Sequence, residues 1–148
     1  MTTVISILTP SKIGIWNIPM RGQNFINNYY ANLNNYKISL NHQEGLLFKN
    51  FDSLKIVVNK NKNKNKKIII IFCSNLQLLS LKTNKNKFIN FFKKYEIHFA
   101  LELQKGKGSK FLKKVFYEII KFTGRKNIDV KKIDTYQELF NKYKKKII

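Results

Sequence analysis

The feature that most constrains the fold is an unbroken apolar run of four isoleucines and a phenylalanine at residues 68–72. Short apolar runs rich in β-branched residues favour a strand over a helix. The run does not alternate with polar residues, so both faces of the strand must be buried. A strand of this kind belongs to a parallel sheet with helices above and below it. Cys73 ends the run, and we expect it to be a small core residue.

The rest of the chain alternates between predicted strands and helices. Further strands are predicted at residues 4–8, 36–40 and 95–103, and helices at 21–34, 48–58, 88–92, 109–124 and from 134 onward. Strand–helix alternation with short connections is typical of a right-handed parallel α/β sheet. We therefore predict a three-layer α/β domain with a mainly parallel sheet of about four or five strands. Residues 1–104 would form its core, and residues 105–148 a C-terminal helical extension packed on the same domain.

Compartment and membrane association follow from three simple observations. No apolar run reaches the roughly 18 residues that a membrane span requires. The start of the chain lacks the basic region of a secretory signal, and a single cysteine cannot form an internal disulfide. We expect a cytoplasmic protein, with a homodimer as one option for its assembly.

The net charge of +21 invites a nucleic-acid interpretation, but the residue types argue against a dedicated binder. Of the 29 basic residues only Arg21 and Arg125 are arginine, the residue that best reads phosphates and base edges. The abundant Lys, Asn, Ile, Phe and Tyr all have A/T-rich codons, so an AT-rich genome would produce the same bias. We expect only non-specific electrostatic binding of nucleic acid.

Polar residues gather where the predicted strands end. The residues at or just past those ends are Thr9, Glu44, Ser74, Gln77 and Glu102. Open α/β sheets bind ligands outside the carboxyl ends of their strands, so this edge is the predicted ligand site. Arg21, Gln23 and Asn24 open the first predicted helix, where exposed N–H groups favour an anion. Capping and packing are the alternative role for these three residues.

Acid–base chemistry has three candidate residues, Glu44, His98 and Glu102. Only eight acids occur in 148 residues, so a carboxylate at a strand end either serves a ligand or neutralises nearby lysine. His98 is either a general base oriented by one of these glutamates or a hydrogen-bonded histidine of the interior. No His, Cys, Asp and Glu spacing matches a metal site, and the loop at 106–109 lacks the spacing of a phosphate-binding loop. We predict no metal and no cofactor.

The chain resembles the sporadic carbohydrate cluster proteins, small bacterial proteins encoded among genes for surface-polysaccharide synthesis. The resemblance covers roughly residues 4–104. Its most specific parts are the Pro19 to Asn24 segment and the Glu96-Ile97-His98-Phe99-Ala100-Leu101-Glu102 segment, and Thr9-Pro10 departs from the family pattern. It implies a protein of O-antigen-like polysaccharide synthesis that binds or modifies a sugar or nucleotide-sugar. Whether that protein is an enzyme stays open.

More distantly, the layout is similar to the catalytic domain of serine recombinases, the resolvases. That family uses a serine after the first strand and arginines in the turn after the hydrophobic strand. Here the first position is Thr9, and residues 75–79 contain no arginine. The resemblance therefore implies a resolvase-like or flavodoxin-like fold without strand exchange. The alternative function is a non-enzymatic basic module that binds nucleic acid or scaffolds other proteins.

Overall fold

A computed structural model describes residues 2–10, 12–13, 16–45, 50–62, 66–80 and 83–120. Its strands are β1 (Thr2–Leu8), β2 (Lys12–Ile13), β3 (Trp16–Asn17), β4 (Leu40–Gln43), β5 (Lys67–Phe72), β6 (Glu96–Phe99) and β7 (Gln104–Gly106). Its helices are α1 (Met20–Leu33), α2 (Asp52–Asn61), α3 (Gln77–Ser80), α4 (Lys85–Phe92) and α5 (Ser109–Ile120). The helix predicted from residue 134 lies outside the described residues.

A five-stranded sheet in the order β4-β1-β5-β6-β7 organises the molecule. The first four of these strands are parallel, and β7 pairs antiparallel with β6 at one edge. The predicted mainly parallel α/β sheet is therefore confirmed. A separate short hairpin of β2 and β3 lies in the segment between β1 and α1.

The central strand has the environment that its composition predicts. All residues from Ile68 to Cys73 are buried, and β5 lies between β1 and β6. On one face of the sheet, α1 packs against β1 and β6 through Asn27 and Tyr30. The other face carries an aromatic cluster formed by strands β5 and β6, the residue before α2, and helices α4 and α5. Its members are Phe51, Phe72, Phe88, Phe99, Phe111 and Phe116.

Three strand predictions were wrong in position. The second strand lies at Leu40–Gln43 instead of 36–40, because residues 36–39 pack against the core as irregular chain and only the polar stretch after them pairs with β1. The fourth strand ends at Phe99 and continues as a turn, in which Leu103 has a left-handed φ of 53°. Residues 104–106, for which no strand was predicted, form the edge strand β7 by backbone pairing with β6.

The strand order places a topological switch point between the carboxyl ends of β1 and β5. From β1 the chain crosses through α1 to β4 on one side, and from β4 it returns through α2 to β5 on the other side. Adjacent strands whose connections leave in opposite directions leave an opening at their carboxyl ends, and ligands of such sheets bind there. Among the described helices, none is long and apolar enough to cross a membrane.

Candidate functional site

Gln23 lies at the centre of a buried hydrogen-bonded network between the carboxyl ends of β1 and β5. Its Oε1 accepts a hydrogen bond from the backbone N–H of Thr9 at 2.9 Å, and its Nε2 donates to the carbonyls of Thr9 at 3.0 Å and Ile18 at 2.8 Å. The first turn of α1 points this side chain at the backbone that leaves β1. A single buried amide thereby satisfies three backbone groups that have just left the sheet.

Gln77 connects this amide to the turn after β5. Its Nε2 lies 3.0 Å from Thr9 Oγ1 and 3.3 Å from Gln23 Oε1, and its Oε1 accepts from the backbone N–H of Ser74 at 3.2 Å. All four residues are fully buried. The carboxyl ends of β1 and β5 are thus joined by side chains at the point where the strand order opens.

Glu102 extends the same network toward β6. Its Oε2 accepts from Ser74 Oγ at 2.8 Å and its Oε1 from the backbone N–H of Asn75 at 2.6 Å. Ser74 Oγ also accepts from the backbone N–H of Leu76 at 3.1 Å. The carboxylate therefore holds the turn after β5 in one conformation and is an anionic acceptor at the edge of the sheet.

Asn75 is the residue of this network with an unused polar atom. Gln104 Nε2 donates to Glu118 Oε2 at 2.7 Å, which leaves Gln104 Oε1 to accept from Asn75 Nδ2 at 3.1 Å. This chain of bonds fixes the orientation of the Asn75 amide. Asn75 is 2% exposed, and its Oδ1 is one of three buried side-chain oxygens in the described residues with no hydrogen-bond partner. A buried acceptor without a donor calls for one from a ligand or water.

Two candidates are held outside this network. Glu44 follows β4, but its carboxylate turns toward α2, where it accepts from the backbone N–H groups of Ser53 and Leu54 at 3.0 Å each. The residue before α2, Phe51, has no side-chain capping bond, so Glu44 provides the cap from a distant part of the chain. His42 Nε2 lies 2.7 Å from the same carboxylate. Glu44 is therefore a fully buried helix cap at the carboxyl edge, and its carboxylate bonds to α2 and not to the network around Gln23.

His98 contacts neither Glu44 nor Glu102, and of its two predicted roles the structure fits the hydrogen-bonded histidine of the interior. Its Nε2 faces Glu96 Oε2 at 2.8 Å, and its Nδ1 lies 2.7 Å from the hydroxyl of Tyr30 on α1. The carboxylate requires the ring proton on Nε2, so Nδ1 accepts from the Tyr30 hydroxyl. Burial lowers the pKa of His98 against the raising effect of Glu96, and burial raises the pKa of Tyr30 to about 12. The histidine is neutral and interior.

The three residues predicted to hold an anion at the start of α1 are divided by the structure. Gln23 is buried in the network, whereas Arg21 is exposed and Asn24 is half-buried. Asn24 bonds through Oδ1 to Asn28 Nδ2, one turn further along α1, at 3.0 Å. The described contacts of Asn24 are thus local to the helix. For Gln23, the structure fits the alternative role in capping and packing.

Cys73 is the core residue that its sequence context predicts. It is fully buried at the end of β5, and burial together with the nearby Glu102 carboxylate raises the pKa of its thiol well above the ordinary value. A thiol with a raised pKa is a poor nucleophile.

The structure brings together five of the nine predicted site residues: Thr9, Gln23, Ser74, Gln77 and Glu102. Sequence reasoning missed Asn75 and Gln104. Asn75 follows the same strand end as Ser74, so position alone could have found it. Gln104 could not be found, because its role depends on the unrecognised strand β7. Among the described residues, no three or more His, Cys, Asp or Glu side chains are placed to hold a metal ion.

Comparison of the chain with protein-family models, with curated proteins and with solved structures gave no significant match in any of the three. The case for function therefore depends on the geometry of this edge and on the residues that line it.

Proposed function

We propose that this protein binds a sugar or nucleotide-sugar at the carboxyl edge of its sheet, as a component of bacterial surface-polysaccharide synthesis. The observation that carries the proposal is the unpaired Oδ1 of buried Asn75, beside the Glu102 carboxylate in the turn after β5, a strand that borders the topological switch point. An unpaired acceptor next to an anionic acceptor selects a ligand group that donates hydrogen bonds, and sugar hydroxyls are such groups.

The residues of the resemblance add support for the polysaccharide context. Gln23, Ser74, Gln77 and Glu102 all lie within residues 4–104, the region that resembles the sporadic carbohydrate cluster proteins, and they are joined in one hydrogen-bonded network. Residues that are far apart in the sequence thus belong to the same resembling region and meet in one network. This coincidence favours a common role at the ligand edge.

The same network argues against phosphoryl transfer and DNA strand exchange. Its described side chains are amides, hydroxyls and one carboxylate, with no arginine to stabilise the charge of a transferring phosphate. The order of Gln23 on α1, then β5, a polar turn, α4, β6 and Glu102 supports a resolvase-like arrangement. We propose that the protein has a resolvase-like fold and uses it to bind a ligand. With Glu44 and His98 engaged elsewhere, Glu102 is the acceptor that would meet a sugar hydroxyl.

A thermal-shift screen tests the proposal. Nucleotide-sugars, sugar phosphates, free sugars and a short DNA duplex are compared at low salt and at about 0.3 M salt, where screening suppresses surface electrostatics. A ligand that binds the folded state raises the melting temperature. We expect a salt-resistant shift with one sugar class, at least halved in Asn75→Ala and Glu102→Gln. The matched controls, exposed Asn90→Ala and Asp52→Asn, should keep the shift.

The alternative function predicts a different outcome in the same screen. A basic binding module would respond to DNA alone, and its shift would vanish at the higher salt because counterion release drives that binding. That result would overturn the sugar proposal. A salt-resistant sugar shift that survives both site variants would place the ligand elsewhere.

A further inference from the structure

Nine of the fourteen exposed lysines in the described chain lie at the end of the molecule opposite the candidate site. We call this end the amino edge. It is defined by the starts of β4, β5 and β6, the end of β7, the start of α5 and the last turns of α2 and α4. Its exposed lysines are Lys37, Lys60, Lys62, Lys66, Lys67, Lys93, Lys94, Lys107 and Lys110. Codon bias can explain how many lysines the chain has, but it does not explain their placement.

The acids of the described chain show the opposite distribution. Of the five acids in that part of the chain, Glu96 alone lies at the amino edge, where it bonds to His98 and to Lys67 Nζ at 3.2 Å. The other four, Glu44, Asp52, Glu102 and Glu118, lie toward the carboxyl edge through their contacts with the start of α2, the turn after β5, or Gln104. The amino edge therefore carries positive charge that its own acids do not neutralise.

Helix dipoles explain only part of this cluster. Lys60, Lys62, Lys93 and Lys94 lie at the C-terminal ends of α2 and α4, where a cation is stabilised by the unsatisfied carbonyls. Lys66 and Lys67 open a strand, which has no comparable dipole. Lys110 lies in the first turn of α5, where the dipole opposes a cation. An external anionic partner would account for all nine residues.

We propose that the amino edge docks on the surface of an anionic lipid bilayer. The lysines extend in two dimensions, from Lys37 at one end of the sheet to Lys107 at the other, across about 19 Å of strand spacing, and from the sheet edge out to α2 and α4. A flat surface can contact all of these lysines at the same time. A nucleic-acid backbone is instead bound by a stripe or groove of positive charge that runs along it.

Two further features fit a bilayer. The described amino edge contains no arginine to form paired hydrogen bonds with phosphates or bases. Leu33, which ends α1 at the same edge, is 58% exposed and can enter the headgroup layer. Docked in this way, the molecule would present its carboxyl edge, and hence the candidate site, away from the membrane. The proposal does not depend on what binds at that site.

Vesicle sedimentation tests the docking with a matched pair of variants on one helix. Lys93→Gln/Lys94→Gln removes two exposed charges at the amino edge, and Lys85→Gln/Lys87→Gln removes two at the opposite end of α4. Both variants change net charge equally and lie on exposed positions. On phosphatidylcholine vesicles with about 30% phosphatidylglycerol, we expect the first variant to lower partitioning at least about tenfold and the second less than about twofold.

Three outcomes would overturn the proposal. The first is an equal loss for both variants, which would indicate a diffuse charge effect. The second is wild-type binding to pure phosphatidylcholine vesicles that matches binding to the anionic ones. The third is tight binding of a DNA duplex that depends on Lys93 and Lys94 when vesicle binding does not, which would make nucleic acid the partner. Thermal melts of both variants confirm that each is folded before binding is compared.

Discussion

At the scale of single residues, Gln23 shows how a helix N-terminus and a strand end are joined. Backbone groups past the end of β1 have no ladder partner, and a glutamine offers both a donor and an acceptor at the tip of one side chain. Alanine at this position would leave the Thr9 N–H and two carbonyls buried without partners. The Gln23 amide therefore stabilises the fold whether or not a ligand is bound.

Gln23→Ala should be strongly destabilising. We expect the free energy of unfolding to fall by about 2–4 kcal/mol, since each buried group left without a partner costs about 1–3 kcal/mol. Urea denaturation at pH 7 measures this loss. The neighbouring half-buried Asn24→Ala, whose side-chain bonds stay within α1, should change stability by less than about 0.5 kcal/mol. Equal losses in the two variants would contradict the assigned role of Gln23.

Residue position proved easier to predict than side-chain direction. Thr9, Ser74, Gln77 and Glu102 could be placed from the rule that parallel strands end at one edge. The same rule places Glu44 at this edge but does not give its side-chain direction, because the carboxylate turns to an uncapped helix that is adjacent only in the folded chain. It does not give the direction of His98 either, since its partner Tyr30 lies on α1, far away in the sequence.

At the scale of elements, a polar chain joins α1 to β6 across one face of the sheet. Tyr30 donates to His98, His98 donates to Glu96, and Glu96 pairs with Lys67 at the start of β5. Tyr36 packs its ring edge-on against His98, with ring centroids 5.4 Å apart. This chain of hydrogen bonds is buried at Tyr30 and half-exposed at Glu96. The pKa values of Tyr30, His98 and Glu96 therefore differ between the folded and unfolded states.

Stability should depend on pH at both ends of this chain. The pKa of His98 is lowered in the folded protein, so the unfolded chain takes up a proton first as pH falls below about 6.5, and stability decreases. The pKa of Tyr30 is raised to about 12, so the unfolded chain loses its proton first as pH rises from 10, and stability decreases again. Urea unfolding from pH 5 to 11 measures both effects.

Two variants test whether Tyr30 and His98 cause these losses of stability. Tyr30→Phe removes the contribution of Tyr30 to the alkaline loss and leaves those of Cys73 and Tyr95, whose pKa values are also raised by burial. The variant also costs about 1–2 kcal/mol at pH 7, because His98 Nδ1 loses its donor. His98→Gln keeps an acceptor for Tyr30 and should flatten the decline between pH 7 and pH 5. A wild-type profile unchanged in His98→Gln would show that other groups cause the acid loss.

Element prediction succeeded where composition was decisive. The isoleucine run identified β5, and helical spacing identified α1, α4 and the start of α5. It failed for β4 and β7, which are short, polar and at sheet edges. Such strands are held by backbone pairing to a neighbour, and backbone pairing has no sequence signature.

At the scale of the whole molecule, the fold separates two kinds of surface. The carboxyl edge holds a buried network of neutral amides and hydroxyls around one carboxylate, and the amino edge holds exposed lysines. The parallel sheet produces this separation, because it places all four strand ends on one side and all four strand starts on the other. Composition predicted the charge, and only topology shows where the charge lies.

The central claim is that a sugar ligand meets the carboxyl edge beside Asn75. Backbone amide NMR during titration with the sugar class that gives the largest thermal shift tests it most directly, and a 17.6 kDa chain suits the method. We predict the largest shift changes at the amides of Thr9, Ser74, Asn75 and Gln104, with those of Lys67 and Lys94 nearly unmoved. Changes confined to the amino edge, or none at residues 74–77 under saturating ligand, would contradict the account.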